Sequence, residues 1–143
     1  MDPLRYEFVV RWGDTDMAGI VFNANFYRWM EDASNHFFAA LGFPWSRTIP
    51  EKKIGLPAVE SSCQFKKPLK FEDEVVIHTQ VLELKDKSIT FGHEFRRGDE
   101  VVAVARQTRV FADLSGERLK AVSIPPEIRE AILKLIGADG GSS

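Results

Sequence analysis

The residues best placed to do chemistry lie in one short stretch, Trp12 to Phe26. Asp14 and Asp16 stand two apart in a loop bounded by Gly13 and Gly19, and an amphipathic segment opens directly behind them. A carboxylate beside a helix start can act on a carbonyl group. Free N–H groups of the first helical turn can hold a developing oxyanion. The carboxylate can attack the carbonyl carbon, or activate the water that does. The competing reading is an Asp in a turn that only accepts local backbone N–H groups. The other reactive side chains make no such set. His36, His78 and His93 show no ligand spacing and are read as satisfied structural histidines. Cys63 has no base partner and is read as a small core residue.

The elements around the loop are legible from their periods. Arg5 to Trp12 alternates, with Tyr6, Phe8, Val10 and Trp12 on one side, and predicts a half-buried strand. From Asn23 to Leu41 the period changes. Phe26, Trp29, Met30, Ala33, Phe37, Ala40 and Leu41 fall at three- and four-residue spacing, which predicts one long helix. Asn23 or Asn25 is the candidate cap, and Gly42 with Pro44 the stop. Residues 42–53 are expected to be irregular. Strands are predicted at 58–66, 74–84, 88–96 and 100–112. The short turns Lys85-Asp86-Lys87 and Arg97-Gly98-Asp99 force antiparallel hairpins. A last helix is expected over 126–136, started by Pro125-Pro126 and ended by Gly137.

One strand, one long helix, four strands and a short helix imply an α+β domain whose antiparallel sheet wraps the central helix. Edge strands left open on such a sheet can pair between subunits. The 143 residues suit a single domain over 1–137, with 138–143 expected to form a disordered tail. A net charge of −2 without a basic block argues against nucleic acid. One cysteine precludes an internal disulfide and fits a reducing compartment. No apolar run is long enough for a membrane span, and the N-terminal residues lack a signal-peptide core. A cytoplasmic protein is expected.

Gly13-Asp14-Thr15-Asp16-Met17-Ala18-Gly19-Ile20-Val21 and Asn25-Phe26-Tyr27-Arg28-Trp29 resemble the hotdog-fold acyl-CoA thioesterases, most closely the 4-hydroxybenzoyl-CoA thioesterase branch. The resemblance continues through Ala33-Ser34, Gly42-Phe43-Pro44, Gly55-Leu56-Pro57, Lys87-Ser88, Arg109 to Ala112 and Gly116 to Ala121. It implies a hotdog fold, homodimers joined through a continuous sheet and commonly homotetramers, with active sites at the dimer interface. It implies hydrolysis of a coenzyme A thioester with neither metal nor organic cofactor, coenzyme A being part of the substrate.

By the same resemblance, Asp16 matches the catalytic carboxylate, as nucleophile or general base, and Asp14 a loop brace. Asn23 matches the residue whose backbone N–H polarises the thioester carbonyl; Gly19 lets the chain bend close to substrate. Trp45, Leu56, Pro57 and Ala58 match ligand-touching positions, with packing as the alternative for each. Lys85 and Lys87 match a turn that lies near the coenzyme A phosphates, but Asp86 stands where the family carries Arg. Glu31, one helical stretch beyond the loop, is either a polar group of the acyl pocket or a solvated or interface acid. The substrate this implies is an aromatic acyl-CoA such as 4-hydroxybenzoyl-CoA. The alternatives are a short-chain aliphatic acyl-CoA, as in the Tol–Pal-associated thioesterases, and non-catalytic acyl-CoA binding. A hotdog dehydratase would need an active-site His, and the loop before the helix has none.

Overall fold

The computed structural model describes residues 1–138; the predicted tail residues 139–143 lie outside them. Strand β1 (Arg5–Val9) leads through a 3-10 turn (Trp12–Asp14) into helix α1 (Ala24–Ala40). Helix α2 (Trp45–Lys52) and the two-residue strand β2 (Ile54–Gly55) follow, then β3 (Ala58–Phe65), β4 (Glu74–Leu84), β5 (Ser88–Arg97) and β6 (Glu100–Val110). The short strands β7 (Ala112–Asp113) and β8 (Lys120–Ala121) precede α3 (Pro126–Ala138). The main sheet is antiparallel in the order β1-β4-β5-β6-β3, and β2-β7-β8 form a second, small sheet.

Helix α1 lies on one face of the main sheet because its apolar stripe matches the inward residues of the strands. Phe26, Trp29, Met30 and Ala33 pack with Val10, Leu69, Val75, Ile77 and Phe95 in one cluster. Phe37 and Phe38 join Ile89, Phe91, Phe111 and the α3 residues Ile128 and Ile132 in another. Burying each of these large side chains contributes about 1.5–3 kcal/mol.

Several expectations are corrected. Trp12 does not continue the inward face: the chain turns at Trp12–Asp14, and the indole is 70% exposed, edge-on to Phe71 at 5.4 Å. Residues 42–53 are not irregular throughout. Pro44, extended at φ −60°, ψ 137°, precedes α2, which runs through Pro50 and stops at Lys53 in the left-handed region. Proline at the start of a helix is tolerated and inside it removes one hydrogen bond, so two prolines conceal the helix without preventing it. The strand predicted through Ala112 breaks after Val110, since Ala112 pairs with Gly55 rather than with the main sheet. Helix α3 passes Gly137 and takes in Ala138, the first residue of the tail expected from the sequence. Neither asparagine caps α1: Asn23 occupies the cap position with helical dihedrals and no side-chain bond, and Asn25 donates instead to the Asp14 carbonyl at 2.8 Å.

His93 is only half satisfied. It is 1% exposed; its Nδ1 meets the Thr79 hydroxyl at 3.0 Å, and its Nε2 is buried without a partner among the described residues. Burial pushes its pKa down to about 4, from 6.5. The neutral ring is therefore the folded form. Below pH 6.5 the unfolded chain takes up a proton that the folded chain refuses, so stability falls with pH until about pH 4. The full loss is about 3 kcal/mol. Urea midpoints measured from pH 7.5 to 4 should decline in this window for wild type. The decline should be much shallower for His93→Leu; parallel curves would show that another group sets the acid limb.

Candidate active site

The loop ahead of α1 is folded back on itself. The Asp16 N–H donates to the Ile20 carbonyl at 2.9 Å, and the Asp16 carbonyl accepts the Gly19 N–H at 2.9 Å. Gly19 has φ +77°, a conformation that disfavours any residue with a Cβ. Asp14 is 8% exposed: its Oδ2 accepts the Arg11 N–H at 2.8 Å and its Oδ1 is paired with Arg28. Both oxygens are thus engaged in bracing. Asp16 is exposed, and its Oδ1 accepts the Ala18 N–H at 2.8 Å. Its Oδ2 has no partner among the described residues.

Where the loop enters α1, the Phe22 carbonyl accepts the Asn25 N–H at 2.9 Å, and the Asn23 carbonyl accepts the Phe26 N–H at 3.1 Å. The Asn23 N–H itself donates to no backbone carbonyl among the described residues. It stands at the positive end of the helix. Asn23 also lines a cleft of about 200 Å³ with Ile20, Val21, Phe26, Phe65 and Lys66. An unengaged N–H, a free carboxylate oxygen in the adjoining loop and a cleft between helix and sheet are the parts that an addition to a carbonyl needs.

The other candidates collect elsewhere. Trp45 opens α2 and is half-buried; Leu56 is 7% exposed; the Pro57 carbonyl accepts the Val110 N–H at 3.1 Å; Ala58 opens β3. They are gathered by Arg109, a residue to which the sequence alone gives no role although it lies within a matching segment. Arg109 is 3% exposed, donates from Nη1 to the Leu56 carbonyl at 2.6 Å, pairs with Glu31 through Nη2, and lies 4.9 Å over the Trp45 ring. Burial pushes its pKa down to about 10, which leaves it charged at neutral pH. Glu31 is therefore neither free nor simply solvated: its half-exposed carboxylate carries the buried guanidinium's charge. Two donors in this cluster, Trp45 Nε1 and Arg109 Nε, are buried with no acceptor among the described residues.

The turn Lys85-Asp86-Lys87 lies at the same end of the sheet, since the Lys87 carbonyl accepts the Phe111 N–H at 2.9 Å and Ser88 pairs with Val110. Lys85 is ion-paired with Glu83 at 3.3 Å. Cys63 is half-buried, and burial pushes its thiol up to about 11, in keeping with a packing role. A larger hollow of about 440 Å³ covers the sheet face turned away from α1, above Gly92. None of the candidate residues lines it.

Within one chain the candidates thus form two groups. Asn23 shares its cleft with Phe65, with Asp16 and Gly19 in the loop tied to Ile20 of the same cleft; Trp45, Leu56, Pro57, Lys85 and Lys87 collect at the Ala58 end of the sheet. Ala58 and Phe65 are the ends of β3, seven residues apart, and so roughly 23 Å at the usual strand rise.

The chain is thus an α+β sheet wound round one helix, with a carboxylate loop at the helix entrance. The model of the thioesterase-like superfamily matches residues 10–132. The 4-hydroxybenzoyl-CoA thioesterase of Pseudomonas sp. (strain CBS-3) is 36% identical over 128 residues, covering 85% of this chain and 91% of its own. A solved gentisyl-coenzyme A thioesterase is 46% identical, covers 90% of this chain and 98% of its own, and superimposes with a TM-score of 0.80. A substituted 4-hydroxybenzoyl-CoA thioesterase solved in complex with 4-hydroxybenzoyl-CoA is 34% identical, covers 89% of this chain and 96% of its own, and gives a TM-score of 0.82. The chain belongs to the thioesterase-like superfamily and has the hotdog fold. As an enzyme it is an acyl-CoA thioesterase. No helix among the described residues is long and apolar enough to cross a membrane.

Proposed function

We propose that this protein hydrolyses the CoA thioester of a hydroxylated aromatic acid, 4-hydroxybenzoyl-CoA or a close analogue such as gentisyl-CoA. The unengaged N–H of Asn23 at the entrance of α1, with the free oxygen of Asp16 in the loop that leads to it, carries the reading. The thioester carbonyl accepts that N–H, and the helix end stabilises the charge that gathers on its oxygen. Asp16 then either adds to the carbonyl carbon, giving a mixed anhydride that water cleaves, or takes the proton of an attacking water. In both routes the C–S bond breaks and coenzyme A leaves as its thiolate. The reaction uses a carboxylate, a backbone donor and water, with neither metal nor organic cofactor.

A hydroxylated aryl group is favoured by the wall that Arg109 assembles. The half-buried Trp45 ring offers flat apolar surface, and the half-exposed Glu31 carboxylate held by Arg109 is an acceptor for a ring hydroxyl. For the two groups to act on one substrate, two chains must meet. Strand β3 is an open edge, exposed along nearly its whole length. Antiparallel pairing of two β3 edges sets Ala58 of one copy beside Phe65 of the other, and so brings each acyl wall to the other chain's Asp16 and Asn23. A homodimer is thus the smallest complete unit in this reading, and a homotetramer its doubling. A cytoplasmic setting, where acyl-CoA is made, fits the same function.

The test is thiol release from 4-hydroxybenzoyl-, gentisyl-, benzoyl-, phenylacetyl-, butyryl- and hexanoyl-CoA, with sedimentation of the same preparation. The hydroxylated aryl substrates should have the highest kcat/KM, and the protein should sediment as a dimer or larger. Preference for butyryl- or hexanoyl-CoA would overturn the aromatic assignment and keep the chemistry. Binding of acyl-CoA without any turnover would overturn the chemistry itself.

A further inference from the structure

The β4–β5 turn is fastened to the segment that leads into α3. The Asp86 carboxylate accepts the Ser123 hydroxyl at 2.9 Å, and the Asp86 carbonyl accepts the Ile124 N–H at 2.9 Å. Arg129, in the first turn of α3, completes the fastening. Its Nη2 donates to the Lys85 carbonyl and, at 3.2 Å, to that of Asp86. The sequence lacks the arginine expected in the middle of this turn, yet the fold carries a guanidinium to the turn from outside it.

The charges there are not balanced. The Asp86 carboxylate is bound to Ser123 and Glu127 is paired with Lys52, while Lys85 has only the exposed Glu83 at 3.3 Å. Lys87 and Arg129 have no carboxylate within ion-pair distance among the described residues. A guanidinium that binds two carbonyls through Nη2 keeps its full charge and the separate N–H donors of Nη1 and Nε, each able to bind a phosphate oxygen.

We propose that Arg129 is a phosphate-binding residue for the nucleotide end of acyl-CoA. With Lys85 and Lys87 it supplies the positive charge that Asp86 withholds from the turn. The inference rests on the acyl-CoA reading above and deepens it. Asp86 in turn has a structural task, holding the turn against Ser123 and Ile124 so that Arg129 reaches it.

Arg129→Gln tests this, because Gln keeps an N–H donor for the two carbonyls and deletes the charge. KM would be measured for 4-hydroxybenzoyl-CoA and for 4-hydroxybenzoyl-pantetheine, which has the same acyl group and no phosphate. Calorimetry would give the Kd of free coenzyme A at low and high salt. Losing a charge-assisted contact should raise the CoA-thioester KM and the coenzyme A Kd about tenfold. It should flatten the salt dependence and leave the pantetheine substrate's KM in place. Arg129→Lys should recover part of the loss. An unchanged coenzyme A Kd, or an equal weakening of both substrates, would overturn the assignment while the thioesterase function stands. A wild-type protein that neither binds coenzyme A nor cleaves either substrate would overturn both.

Discussion

Asp16→Asn leaves a folded protein whose turnover falls by about 10²–10⁴-fold, with KM little changed. The fold survives because the bond Asp16 makes to the Ala18 N–H needs only an accepting oxygen, which an amide also presents. The backbone bonds that tie the loop to Ile20 and Gly19 do not involve the side chain at all. What disappears is the second carboxylate oxygen, the one with no partner among the described residues. An amide cannot add to a thioester or accept a proton from water at neutral pH. Asp14→Asn is the instructive contrast. Asp14 spends both oxygens on Arg11 and Arg28, so its replacement should appear first in thermal stability and only secondarily in rate. Thiol release and melting curves on the two variants separate these outcomes. An Asp16→Asn protein within tenfold of wild-type kcat would mean that another group carries the reaction.

The loop and helix that hold Asp16 were legible because local rules and tertiary packing agree there. A 3.6-residue apolar period followed by Gly42 and Pro44 has one good solution, and α1 adopts it. The hairpins were equally plain: β4 runs over the predicted 74–84, and Gly98 takes φ +61° in the turn before β6. What escaped the sequence depends on long-range contacts. Val101 to Ala105 is apolar at every position, so alternation cannot say which residues point inward. The register shift between Phe95 and Arg96 accompanies a phase that buries Gln107 and Arg109. A buried arginine has no hydropathy signature. Its place follows from Glu31, Leu56 and Trp45, which come from three separate segments. The division of the site between the two ends of β3 was likewise invisible until the strands were paired, because sequence order does not give the sheet order.

The backbone role of Asn23 allows a sharper prediction, since one substitution can remove its N–H and little else. Asn23 has φ −54° and ψ −31°, and it follows Phe22 in a turn closed by the Asn25 N–H and the Phe22 carbonyl. That makes it the second residue of a β-turn, where proline is favoured and its fixed φ of about −65° is nearly met. The Asn23 side chain makes no capping bond that would be lost. Asn23→Pro should therefore melt close to wild type while kcat falls by about 10²–10³-fold, the usual cost of one oxyanion donor. Asn23→Ala, which keeps the N–H, should retain kcat within a fewfold, because the donor belongs to the main chain. The pair isolates the backbone group from the side chain at the same position. If Asn23→Pro is folded and as active as Asn23→Ala, the thioester carbonyl does not bind at the entrance of α1, and the site must be sought along the Arg109 wall instead.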